Sequence, residues 1–64
     1  MPVITIRLLE GRSLEQKREL TKVISEAVSQ IAKTPLDGVH VIFEDVARSN
    51  WGRGGTLFVD RDPR

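Results

Sequence analysis

The 64-residue chain contains no cysteine, which excludes disulfides and a thiolate metal site, and its single histidine, His40, cannot build a metal cage by itself. No metal or cofactor is implied. A surplus of one charge is missing as well: ten Lys and Arg stand against nine Asp and Glu, a formal net charge of +1, and no run of like charge forms a stripe. Bulk charge thus points to no nucleic-acid partner and no anionic membrane. There is no long apolar run. Val3 to Leu9 is interrupted by Thr5 and Arg7 and has no basic flank before it, so it reads as neither a signal peptide nor a membrane span. A cytoplasmic location is the default expectation. Internal repeats and linkers are absent, and the length allows one domain, 1–64, whose single hydrophobic core is marginal at this size. With disulfides and metals excluded, oligomerisation is the remaining support.

What the chain does have begins at its second residue. Initiator methionine is usually clipped before a small residue, so a mature chain presents Pro2 as a free secondary amine. That amine can accept a proton or attack a carbonyl, whereas the same nitrogen inside a peptide bond is a tertiary amide with neither ability. A base works best when its pKa lies near the operating pH, and an ammonium's pKa falls on desolvation or beside other cations. An ordinary amino terminus titrates at about 8. Bringing it to about 6.5 costs about 2 kcal/mol and raises its neutral fraction at pH 7 from roughly a tenth to about three quarters. The bland reading of Pro2 is the start of an edge strand, where its missing donor does no harm.

Val3 to Leu9 alternates as a strand, with Ile4, Ile6 and Leu8 on one face and Val3, Thr5, Arg7 and Leu9 on the other. Glu10-Gly11-Arg12 turns the chain. Ser13, followed three residues later by Gln16, is a capping-box signature. Leu14, Leu20, Val23, Ile24, Ala27, Val28 and Ile31 then recur at three- and four-residue steps, predicting a helix over 14–32. Pro35 and Gly38 mark a loop before a second strand over 39–46, in which Val39, Val41 and Phe43 alternate with His40, Ile42 and Glu44. Two strands joined through one helix form a βαβ unit, right-handed and with parallel strands. Ala47 to Trp51 reads as a short turn, Gly52-Arg53-Gly54-Gly55 as a tight loop, Thr56 to Val59 as a third strand in a hairpin, and Asp60 to Arg64 as a polar tail. One helix covers one face of the sheet. Parallel sheets normally have both faces buried, so the remaining face is expected to be an interface.

Pro2, the run Leu8-Leu9-Glu10-Gly11-Arg12-Ser13 with Glu15-Gln16-Lys17, the segment Ser25-Glu26-Ala27, Pro35, and Trp51-Gly52 with Gly54-Gly55 resemble the 4-oxalocrotonate tautomerase family of the tautomerase superfamily. The resemblance covers nearly the whole chain; its most specific part is proline after the initiator methionine combined with Leu-Glu-Gly-Arg-Ser ahead of the helix. It implies an α+β fold, a small βαβ subunit with a C-terminal hairpin that dimerises into a four-stranded sheet with two helices. It further implies a hexamer built as a trimer of dimers, with active sites at subunit boundaries.

The implied reaction moves protons in small 2-hydroxydienoate or 2-keto acids, with no cofactor, and Pro2 matches the family's general base. Arg12 matches the arginine that holds the substrate's distal carboxylate, a task suited to a permanently charged bidentate fork. The backbone near Leu9 is placed beside the substrate, and Trp51 stands where the family carries an aromatic, usually phenylalanine, that walls the pocket. His40 departs from the pattern, because it occupies the position of a second arginine supplied by a neighbouring subunit. Histidine is shorter, titrates near neutrality and cannot make the two-pronged contact, so weak turnover of the namesake dicarboxylate is expected. Arg53, in the loop after Trp51, is a candidate to restore the missing cation.

Alternatives stay open beside this reading. The same scaffold accommodates a hydratase, dehalogenase or decarboxylase, and a non-catalytic subunit that pairs with a distinct catalytic paralogue is a further class. A small binding module is the third, since Gly52-Arg53-Gly54-Gly55 formally fits a glycine loop that clamps an RNA backbone. That loop, however, normally joins two helices, and the chain has no basic face.

Overall fold

The structure is a computed structural model that describes residues 1–61. Strand β1 (Val3–Leu9) leads into helix α1 (Leu14–Ala32), a 3-10 turn at Leu36–Gly38 and strand β2 (His40–Val46). A second 3-10 turn at Arg48–Asn50 then opens a two-residue hairpin, β3 (Gly52–Arg53) with β4 (Thr56–Leu57), followed by the short helix α2 (Phe58–Arg61). β1 and β2 pair in parallel, Val3 opposite His40 through Leu9 opposite Val46. The ladder is closed at one end by the His40 N–H donating to the Pro2 carbonyl and at the other by the Glu10 N–H donating to the Val46 carbonyl, both at 2.9 Å.

The boundaries of α1 follow from local chemistry. The Ser13 hydroxyl accepts from the Gln16 N–H at 3.1 Å while the Gln16 side chain accepts from the Ser13 N–H at 2.8 Å, which satisfies two of the donors that a helix start leaves open. At the other end Lys33 takes a left-handed conformation, φ 58°, and the Thr34 N–H returns to the Ser29 carbonyl. Pro35 follows and stops any continuation.

Three expectations need correction. β2 begins at His40 and not at Val39, because the Val39 N–H is already taken by the Leu36 carbonyl in the preceding turn. The third strand stops at Leu57 and not at Val59. Thr-Leu-Phe-Val has strand propensity, but β3 offers only Gly52 and Arg53 as partners, and the Phe58 N–H donates instead to the Trp51 carbonyl at 2.8 Å. Phe58 to Arg61 therefore turns into α2 and takes in Asp60 and Arg61 from the expected polar tail; residues 62–64 lie outside the described part. The hairpin turn is Gly54-Gly55, with φ of 62° and 87°, the positive pair that a two-residue turn of this twist requires.

Helix α1 covers one face of the β1–β2 pair. Ile4, Ile6, Leu8, Val41 and Phe43 on that face are half-buried, as are Ile24 and Val28 on the helix, and the Lys17 ammonium reaches the Asp45 carboxylate at 2.5 Å. The opposite face is bare: Val3 is 56% and Ile42 49% exposed. A second apolar stripe on the helix, Leu20, Val23 and Ile31, also faces outward. Among the described residues no hydrophobic side chain is buried; Ser25 alone is. The Cα radius of gyration is 15.0 Å, where a compact domain of this length has about 11 Å. The accessible surface is 5018 Å², against about 4,100 Å² for a folded monomer of this mass. One protomer thus leaves much of its apolar surface uncovered.

Candidate active site

Pro2 lies at the first rung of the ladder, its ring half-buried, and Met1 before it is 89% exposed. His40 is its neighbour across the strands, joined through the backbone bond to the Pro2 carbonyl, with an exposed side chain on the bare face of the sheet. These two candidate residues are brought together. The others are not with them. Leu9 ends β1, and Gly11 (φ 117°) swings the chain so that Arg12 stands just before the helix cap. Seven residues of strand separate Pro2 from that end, about 23 Å at the rise of a parallel strand. No small acid bridges such a gap, so within one protomer Pro2 and Arg12 cannot contact one substrate molecule.

Arg12 is exposed and makes no ion pair among the described residues; it borders a shallow groove of about 430 Å³ shared with Gln16, Glu19, Leu20 and Val23. Its position is disfavoured on helix-dipole grounds, since a cation beside a helix N-terminus gains nothing from it. A ligand carboxylate would relieve that.

Leu9 and Phe58 border one groove at the far end of the sheet. The Trp51 ring stacks on Phe58 with centroids 5.8 Å apart and planes at 30°. A groove of about 250 Å³ there is lined by Leu9, Arg48, Arg53, Phe58 and Arg61. Arg48 is half-buried, donates to the Phe58 carbonyl at 2.8 Å and lies 6.0 Å from the Phe58 ring centroid. Arg53 sits at 6.0 Å from the same centroid, within the range of a cation–π contact.

Arg48, Phe58 and Arg61 were missed by sequence reasoning. Their signal is the recurrence of arginine through 48–61 with Trp51 and Phe58 interleaved, and it was masked by reading Phe58 as a strand residue. On the bare sheet face, by contrast, Arg7 and Glu44 pair across the strands at 2.6 Å. Hydrogen bonding to Glu44, and then its charge, holds the Arg7 guanidinium above its ordinary value, so it stays a cation throughout the physiological range. Among the described residues no three His, Cys, Asp or Glu side chains gather to hold a metal, and no helix is long and apolar enough to cross a membrane.

This is a βαβ subunit with a C-terminal hairpin, a proline at the start of its first strand and an arginine at the turn after it. A family described as "Tautomerase enzyme" matches residues 2–61. The 2-hydroxymuconate tautomerase of Pseudomonas putida is 46% identical over 57 residues, 89% of this chain and 90% of that protein. Among solved structures, a 4-oxalocrotonate tautomerase homologue superposes with a TM-score of 0.90 at 43% identity, covering 94% of this chain and 95% of its own. The heterohexamer 4-oxalocrotonate tautomerase from Chloroflexus aurantiacus gives 0.88 at 37% identity, with 94% and 97% covered. The chain belongs to the tautomerase family, and its activity is that of a tautomerase, an isomerase.

Proposed function

We propose that the chain, once Met1 is removed, acts on small 2-hydroxydienoate or 2-keto acids with the Pro2 amine as base. The neutral nitrogen takes the proton of the substrate's 2-hydroxyl, the electron pair collapses to a ketone, and the resulting prolinium returns the proton to carbon. Nothing is consumed. Arg12 holds a carboxylate, Leu9 and Trp51 form the apolar wall, and His40 is a polar partner near the base.

The observation that carries this reading is the place of Pro2: it stands half-buried at the head of the parallel ladder, its carbonyl accepting from the His40 N–H. The separation of Pro2 from Arg12 supplies the second element. A cleft holding both takes them from different copies of the chain, which brings guanidinium charge to the amine and lowers its pKa. The uncovered sheet face and the outward helical stripe are the surfaces such an assembly buries, in a homo-oligomer that we take to be a hexamer of three dimers, each dimer sharing a four-stranded sheet. The heterohexameric assembly of the Chloroflexus relative is in keeping with that number. We further take 1–64 as one domain working in the cytoplasm.

The test combines intact mass with turnover. Protein whose mass lacks Met1 is expected to ketonise 2-hydroxymuconate or phenylenolpyruvate, and Pro2→Ala to lose that activity; processed wild-type protein silent on both acids would overturn the mechanism. A second reading has one observation in its favour, the mixed subunit composition of that same relative: the chain is one of two kinds of subunit. Native mass spectrometry of the chain alone separates the two, since a mixed oligomer fails to assemble from one component.

A further inference from the structure

The groove between Leu9 and Phe58 gathers three guanidiniums, those of Arg48, Arg53 and Arg61, and among the described residues no carboxylate lines it. Four cations elsewhere on the surface are paired with acids: Arg7 with Glu44, Lys17 with Asp45, Arg18 with Glu15, Lys22 with Glu26. In the groove, Arg53 and Arg61 contact neutral groups. Arg61 donates to the Arg53 carbonyl at 3.2 Å, and the Arg53 guanidinium rests against the Phe58 ring with no ion pair among the described residues. Asp60, next to Arg61 in α2, does not line the groove and pairs with neither Arg53 nor Arg61.

Arg48 and Arg53 lie at the same distance from one ring centroid, so their charges are no more than twice that distance apart. Collecting like charges costs Coulomb energy, and an anion entering the groove reverses the sign of that cost. A guanidinium carries five N–H donors in a planar fork, and the carbonyl bond of Arg61 uses one. The remaining donors suit a carboxylate, which accepts two parallel bonds. The floor is apolar, as the carbon chain between two carboxylates requires: Leu9 on one side, and Phe58 backed by Trp51 on the other.

We propose that Arg53 and Arg61 form a second anion subsite, which takes one carboxylate of a dianionic acid while Arg12 holds the other. The substrate's identity rests on the tautomerase reading above; the binding of a dianion does not. The subsite would also offset the loss of charge at His40, because the charge missing at the Pro2 end of the sheet is present in surplus at the Leu9 end.

Trp51 is the only tryptophan and stacks on the floor of this groove, so its fluorescence reports on occupancy, with calorimetry as an independent readout. The full-length processed protein is titrated with adipate and with hexanoate, two six-carbon acids differing in one carboxylate, at constant ionic strength. Adipate is expected to bind about tenfold more tightly, and the double variant Arg53→Ala/Arg61→Ala to bring adipate to the level of hexanoate. Arg53→Lys is expected to fall between. Equal affinity of wild type for the two acids, or adipate affinity unmoved in the double variant, overturns the subsite.

In turnover, the ratio of kcat/KM for 2-hydroxymuconate over phenylenolpyruvate is expected to fall about tenfold in the double variant, through KM; an unmoved ratio counts against the proposal. Processed wild type inactive on both acids overturns the tautomerase reading instead, and the adipate titration then decides the subsite by itself.

Discussion

The two ends of the parallel sheet are chemically unlike. At the end where β1 and β2 begin stand Pro2, Val3 and His40 with no arginine among the described residues; at the end where they finish stand Arg12, Arg48, Arg53 and Arg61 with Leu9, Trp51 and Phe58. On the proposed reading, one end offers a base and the other offers cations and an apolar wall. Acid–base chemistry on a carboxylate needs both, because the cation draws electron density toward itself and lowers the pKa of the amine. A strand of seven residues keeps them apart in one protomer. On that reading, half a site at each end of the ladder becomes a whole site when copies of the chain meet, and burial and catalysis then depend on the same contacts.

That comparison breaks most sharply under mixing. Pro2→Ala is expected to lower kcat by about 10²- to 10⁴-fold, and Arg12→Ala to be impaired on its own. Protomers of the two variants, unfolded and reassembled together, are expected to recover activity at about one site in four, the fraction that draws each intact residue from a different chain. Zero recovery, with mixed oligomers verified by mass, would place both residues of a site in one chain.

Next in size is Ile42→Asp, which puts a carboxylate on the bare sheet face. Burying an unpaired charge there costs several kcal/mol, so light scattering is expected to report smaller species and the activity to go with them; an unaltered mass would mean that this face stays in water. Arg12→Ala alone is expected to cost about 1.5–3 kcal/mol of binding, the worth of a hydrogen bond to a charged group, seen as a raised KM. A change confined to kcat would reassign it. The smallest effect is Ser13→Ala, which removes the cap of α1 and is expected to cost about 1 kcal/mol of stability, read as a lowered thermal midpoint with kcat intact. It sharpens the comparison by separating the helix start from the neighbouring Arg12.

Much of the fold was legible in the residues. β1 and α1 have the bounds that alternation and the Ser13/Gln16 box predict, because the donors and acceptors involved lie within a few positions of one another. The C-terminal segment was less so. Thr56 to Val59 carries the propensity of a strand, and only the two-residue length of β3 and the bond from Phe58 to Trp51 turn it into a helix after Leu57. The site divides in the same way. Pro2, Leu9, Arg12, His40 and Trp51 were chosen as candidates through the resemblance to the 4-oxalocrotonate tautomerases, whereas the clustering of Arg48, Arg53 and Arg61 around one groove with Phe58 could not be foreseen, since it depends on where a hairpin folds back.

The sequence by itself determined the elements whose hydrogen bonds are local: a capped helix, a strand bounded by a glycine turn, and a hairpin whose paired glycines accept positive φ. Only the tertiary structure decided which residues share an end of the sheet, how far Pro2 stands from Arg12, and which apolar surface is left bare. Those depend on pairing across dozens of residues, where register, and not propensity, sets the distance.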